Sequence, residues 1–177
     1  MTVDPPAPPA VPVKGLALPV TLRDREGQPF TVRAYRPADR VLLDAFYDAF
    51  EPKRAAQGLP PAGTPRIARW LDAVLAGGEH LIVEREGRLV GHAMLMPMPD
   101  PGVREYAIFL DQSVRGRGIG TQVNRLAAEV GRALGIRQLW LSVEPQNRAA
   151  LRSYLKAGFF FRPATVYSPE VEMEMDL

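Results

Sequence analysis

The sequence predicts an α/β domain built on a mixed, largely antiparallel twisted sheet, and three observations lead there. Residues 104 to 143 read as strand, glycine-rich turn, helix and strand, a crossover that makes its two strands parallel neighbours. Short β-prone segments joined by tight turns, clearest in His80 to Glu84 and Arg88 to Met96 around Glu86-Gly87, demand antiparallel pairs. Apolar residues recurring every three or four positions put helices between the strands. With 177 residues, 46% apolar and 24% charged, the chain suits one domain and is too short for two comfortable ones.

In chain order, six of the 18 prolines fall within the first 19 residues, so residues 1 to 17 read as a proline-rich tail and 18 to 177 as the domain. Leu18 to Arg23 and Phe30 to Tyr35 form a hairpin around the turn residues Asp24 to Pro29. Asp39 is placed to cap a helix with its apolar stripe at Val41, Leu42, Ala45, Phe46 and Ala49. A loop from Glu51 to Gly63 leads to Thr64 as N-cap and Pro65 as first helical residue. The stripe that follows is Ile67, Trp70, Leu71, Val74 and Leu75, and Gly77-Gly78 ends it. After the hairpin of residues 80 to 96 come a strand from Arg104 to Asp111, the glycine turn, and a helix with Val123, Leu126, Ala127, Val130 and Leu134 on one face. Gln138 to Val143 reads as a buried strand, Asn147 to Ala157 as a helix stopped by Gly158, and Phe159 to Phe161 as the start of another strand. Val171 to Leu177 alternates with period two.

Composition narrows the chemistry. There is no cysteine, which removes disulfides, thiol nucleophiles, thiolate metal sites and iron–sulfur clusters and suits a cytoplasmic setting. The two histidines, His80 and His92, lie in strand contexts and do not suggest a metal centre. Twenty-two basic against 20 acidic side chains leave a formal net charge of +2, which is no footprint for nucleic acid. The apolar runs fall far below the roughly 18 residues that a membrane span requires.

The informative segment is Val114-Arg115-Gly116-Arg117-Gly118-Ile119-Gly120-Thr121 between a strand and a helix. Glycines let backbone approach a ligand closely, and the first N–H groups of a helix are unpaired and partly positive, so such a turn can cradle phosphate oxygens. A plain strand-to-helix turn without a ligand is the alternative. A P-loop would need Lys followed by Ser or Thr after the last glycine, where this chain has Thr121-Gln122. A dinucleotide fingerprint needs two residues between its second and third glycines, whereas only Ile119 separates Gly118 from Gly120.

The pattern that fits is Arg/Gln-x-x-Gly-x-Gly/Ala, as Arg115, Gly118 and Gly120. A second match is Leu139 to Val143 followed by Asn147, Ala149, Ala150, Tyr154 and Gly158-Phe159. By these two motifs and by its element order from about residue 30, the chain resembles the GCN5-related N-acetyltransferase (GNAT) family. The resemblance implies that two parallel central strands splay apart, that helices cover both faces of the sheet, and that acetyl-CoA is the acyl-donor cosubstrate, with no metal. It also implies direct transfer to an amine without a covalent enzyme intermediate.

Carried over residue by residue, the resemblance makes the turn Arg115, Gly116, Arg117, Gly118, Ile119, Gly120 and Thr121 the pyrophosphate cradle and Asn147 a cofactor contact. It makes a backbone N–H near Leu110 the donor to the thioester oxygen, and Tyr154 the acid that protonates the departing thiolate. Tyr154 also lies on one helical stripe with Leu151, Leu155 and Gly158, so a core tyrosine is the alternative reading, and Asn147 reads equally as an N-cap. Arg115, Arg117 and Arg125 are candidate phosphate cations, of which only Arg115 stands in the motif. Glu105, on the strand before the turn, is the candidate general base. Glu172, Glu174 and Asp176 share one face of the last strand and either attract a cationic acceptor or form a solvated face.

Two rivals stand beside this reading: a non-catalytic acyl-CoA sensor or scaffold of the same fold, and a nucleotide module with Glu144 as a ribose acid. The expected partners are acetyl-CoA and an amine acceptor of open identity, without nucleic acid or membrane. A homodimer is an open alternative.

Overall fold

The computed structural model describes residues 17–52, 60–163 and 169–177. The expected tail therefore lies, but for Ala17, outside the described residues, as does the middle of the expected loop from Glu51 to Gly63. Among the described residues eight strands form one sheet in the order β1-β2-β3-β4-β5-β6-β8-β7. They are β1 (Val20–Arg23), β2 (Pro29–Ala34), β3 (Glu79–Arg85), β4 (Arg88–Pro97), β5 (Val103–Leu110), β6 (Gln138–Val143), β7 (Phe160–Phe161) and β8 (Val171–Asp176). Every pair is antiparallel except β5 with β6. Among the described residues four α-helices cover it: α1 (Arg40–Ala49), α2 (Thr64–Val74), α3 (Ile119–Ala133) and α4 (Arg148–Ala157). The expected mixed sheet is present, and the strands start and stop within a residue or two of the readings above, because alternation and turn residues are local signals.

The sheet separates two cores. On one face α3 and α4 bury Val123, Leu126, Ala127, Val130 and Tyr154 against Leu81, Leu95, Tyr106, Leu139 and Met173. On the other, α1 and α2 bury Leu43, Phe46, Tyr47, Ile67 and Leu71 against Ile82, Met94 and Phe109. Helices thus lie on both faces, as the resemblance implies.

Three local expectations are corrected. In α1 the buried stripe is Leu43, Phe46 and Tyr47, continued by Phe50 at its C-cap, while Val41 is 74% and Leu42 47% exposed and Ala45 and Ala49 face solvent. Both stripes have helical spacing, and the aromatic one prevails because it buries far more area. Asp39 stands at the N-cap position of α1 but makes no side-chain cap bond there: its carboxylate takes the Arg36 N–H at 2.7 Å and a forked pair of bonds from Arg33 at 2.7 and 2.8 Å. Burial opposes the charge of Asp39, yet the Arg33 guanidinium holds its carboxyl below the ordinary carboxylate value. Thr64 is the first residue of α2 rather than its cap, and its hydroxyl reaches Asp48 at 2.8 Å.

The two histidines form a buried chain under α1 and α2. His80 Nε2 lies 3.1 and 2.9 Å from the carbonyls of Val74 and Gly77, so it must carry the proton. His80 Nδ1 then accepts from His92 Nε2 at 3.0 Å, and His92 Nδ1 accepts from the Tyr47 hydroxyl at 2.7 Å. Burial, with a smaller contribution from His80, pushes His92 down to about 3. The unfolded chain, where His92 titrates near 6.5, therefore binds a proton that the fold excludes, and stability falls as the pH drops below that value. The expected loss is about 1.4 kcal/mol per pH unit between about pH 6 and pH 4. Denaturant midpoints against pH check it, and the slope should shrink in His92→Gln.

Candidate active site

The β5–β6 ladder is short. Its register pairs are Val103 with Gln138, Arg104 with Leu139 and Glu105 with Trp140, and the two strands are unpaired beyond them. A gap therefore opens toward the C-terminal ends of this pair, the one parallel pair among the described residues. Asp111 N–H donates to Val90 O at 2.9 Å, which sets the phase of the β4–β5 ladder: odd residues of β5 bond to β4. The even residues Tyr106, Ile108 and Leu110 consequently turn their backbone groups toward β6, into the gap. The Leu110 carbonyl is taken by Arg115 Nε at 2.8 Å, and its N–H faces the same side.

The glycine turn sits at the open end of this gap. Gly116 and Gly118 have φ of +76° and +81°, a region that side chains with a Cβ rarely adopt. Gly118 is the N-cap of α3 and offers no side-chain cap, and the first helical bond runs from Gln122 N to Gly118 O. The N–H groups of Ile119, Gly120 and Thr121 thus project ahead of α3 without a helical acceptor. Ile119 itself is buried in the core, and a Cβ on Gly120 would stand 3.3 Å from Ser153 Oγ and 3.4 Å from a Leu110 methyl. Gly120 therefore lets α3 approach α4 and β5.

The arginines of the turn hold other parts of the chain. Arg115 reaches the Glu51 carbonyl at 2.6 Å and lies 5.3 Å from the Phe50 ring centroid, which ties the turn to the end of α1. Arg117 pairs with Glu26 and lies 3.7 Å from Asp24, and Arg125 donates to the Lys156 carbonyl at 2.8 Å. Asn147 caps α4, its Oδ1 accepting from Ala150 N at 3.2 Å.

Tyr154 enters from α4 on the face covered by α3. It is 7% exposed, with ring centroids 5.5 Å from Phe159 and 6.4 Å from Tyr106, and Tyr106 is the first β5 residue beyond the paired ladder. Its phenol is pushed up by burial and stays protonated at neutral pH. Beneath the turn runs a polar chain that the sequence reading missed. The Tyr106 hydroxyl donates to Asn124 Oδ1 at 2.9 Å, Asn124 Nδ2 donates to Ser153 Oγ at 3.1 Å, and Ser153 Oγ lies 3.1 Å from Thr121 Oγ1. This chain locks β5, α3 and α4 together; a polar residue on the apolar face of α3 was its only trace in the sequence.

Glu105 occupies the opposite side. It shares a face with Ala107 and Phe109, is exposed, and is the register partner of Trp140 at the last paired rung. The structure thus places Glu105 and Tyr154 on opposite faces of the sheet at the mouth of one gap. On the Glu105 face a cleft of about 320 Å³ lies between the 98–100 loop, Trp140, Arg162 and Glu172. Trp140 Nε1 donates to Glu172 at 3.1 Å, and Arg162 reaches both Glu172 and Glu174, at 3.0 and 3.3 Å, so these acids carry part of a paired network.

Comparison with known proteins agrees with this geometry. The pattern of the acetyltransferase (GNAT) family matches residues 42–159. A mycothiol acetyltransferase of Sanguibacter keddieii is 33% identical over 142 residues, covering 73% of this chain and 43% of that protein. The chain thus spans less than half the length of that relative. Among solved structures, the GNAT domain of S. lividans PAT superposes with a TM-score of 0.74 at 20% identity, covering 90% of this chain and 97% of that one. YncA from Salmonella typhimurium, solved with its cofactor acetyl-CoA, gives 0.66 at 21% identity, covering 84% and 94%. The open parallel pair, the glycine turn before α3 and the family match over residues 42–159 together establish that this chain belongs to the acetyltransferase (GNAT) family.

Proposed function

We propose that the chain transfers an acetyl group from acetyl-CoA directly to a primary amine. The observation that carries this reading is the gap between β5 and β6, which has the glycine turn at its end and a protonated tyrosine at its wall. The unhelical N–H groups of Ile119, Gly120 and Thr121 take the pyrophosphate, with Arg115, Gly116, Arg117 and Gly118 shaping the turn, and the pantetheine arm lies along the backbone groups of β5 that face the gap. Asn147 borders this arm from the start of α4.

The chemistry follows from the two faces. Glu105 accepts a proton from the acceptor ammonium, which frees the nitrogen lone pair to attack the thioester carbonyl. Leu110 N–H donates to the carbonyl oxygen as negative charge gathers there. The C–S bond then breaks with its electrons on sulfur and Tyr154 delivers its proton to the thiolate, while the second proton of the attacking nitrogen leaves to solvent, from which the phenolate is reprotonated. The catalytic unit in this reading is 18–177, working in the cytoplasm, with residues 1–17 as an extension. Removing 1–17 should leave the melting temperature and acetyl-CoA affinity nearly unchanged; a drop of several degrees would show that the tail packs on the domain.

The activity is tested by following thiol release from acetyl-CoA across a panel of amines, beginning with the acceptor class in the name of the mycothiol acetyltransferase relative. Thiol release that depends on an amine and yields its N-acetyl product supports the reading. Tight acetyl-CoA binding with no turnover across the panel would favour the sensor instead.

A further inference from the structure

We infer that Arg25, on the turn between β1 and β2, is the cation that meets the acyl-CoA pyrophosphate at the glycine turn; this rests on the acyl-CoA reading above. Although far away in sequence, the hairpin turn is fastened to the glycine turn. Arg25 N–H donates to the Arg117 carbonyl at 2.9 Å, Gln122 Nε2 donates to the Arg23 carbonyl at 2.8 Å, and Arg117 pairs with Glu26. Asp24 makes this turn rigid. Its side chain is fully buried, with Oδ1 accepting from the N–H groups of Glu26 and Gln28 at 2.9 Å each and Oδ2 taking Arg85 at 3.0 Å.

The result is that the Arg25 side chain lies along Gly118. A Cβ built on Gly118 would stand 3.0 Å from Arg25 Nε and 3.1 Å from its Cγ, beside the first N–H groups of α3. Arg115 and Arg117 are bound into the chain by Glu51, Leu110, Glu26 and Asp24. Arg25 is solvent-exposed and has no carboxylate partner among the described residues. A guanidinium so held can fork onto two diphosphate oxygens while the α3 N–H groups take others, which is the geometry a diphosphate rewards.

The test is calorimetric titration of CoA and of 3′-dephospho-CoA into the full chain and three variants. Arg25→Gln should weaken both ligands by the same factor, about tenfold, and flatten the dependence of Kd on salt. Arg25→Lys should recover part of the loss, since it restores charge without the fork. Arg132→Gln, an equal loss of charge at the far end of α3, should bind within about twofold of wild type, because a screened charge more than a Debye length away contributes little. Wild-type affinity in Arg25→Gln, or a loss confined to CoA with 3′-dephospho-CoA unaffected, overturns the inference and leaves the acyl-CoA reading standing. Failure of the wild-type chain to bind either ligand overturns both.

Discussion

Tyr154→Phe should lower kcat by at least about tenfold, within reach of the 10² to 10⁴ that a positioned acid contributes. The substitution keeps the ring that packs on Phe159 and Tyr106 and removes only the hydroxyl, so the fold should be little changed. The group removed acts when the C–S bond breaks, a transition-state interaction. Acetyl-CoA affinity should therefore stay close to wild type while kcat and kcat/KM fall together. Because burial keeps the phenol protonated across the neutral range, the loss should not depend on pH there. Steady-state kinetics with an identified amine, beside a thermal melt of the variant, decide the matter. Full turnover in a folded variant would make Tyr154 a core residue and send the search for the acid elsewhere.

Gly118→Val should weaken acetyl-CoA binding by at least about tenfold, or 1.4 kcal/mol, and also lower stability. A branched side chain at φ of +81° enters the left-handed region at a cost of about 1–2 kcal/mol. Its Cβ would also press on Arg25 and crowd the space where a phosphate meets the backbone. Gly120→Ala is the milder comparison: its backbone is not in that region, and the new methyl meets Ser153 and Leu110 at 3.3 and 3.4 Å, contacts that a small shift relieves. Affinity should thus fall more at position 118 than for alanine at 120. Unchanged affinity in folded Gly118→Val would remove the turn from the ligand site.

The sequence and the tertiary structure each carried a distinct share of this picture. The crossover from β5 through α3 to β6, the hairpin at Glu86-Gly87, the end of α4 at Gly158 and the alternation of β8 were all readable, because strand period, helix period and glycine turns are properties of neighbouring residues. So was the glycine turn, whose spacing excluded two other phosphate motifs before any fold was known. What α1 buries was not, since Val41-Leu42 and Leu43-Phe46-Tyr47 both recur at helical intervals and only the second meets Phe109 and Trp70 across the core. The cap role of Asp39 was lost to Arg33, a partner on a neighbouring strand that offers two charged bonds where the helix end offers weaker ones. Likewise the placing of Arg25 against Gly118, the buried hydrogen-bonded chain from Tyr47 through His92 to His80 and the opposite facing of Glu105 and Tyr154 each depend on contacts between separate segments. Periodicity determines the kind and extent of an element, and only the packed sheet decides which of two apolar faces is buried and against what.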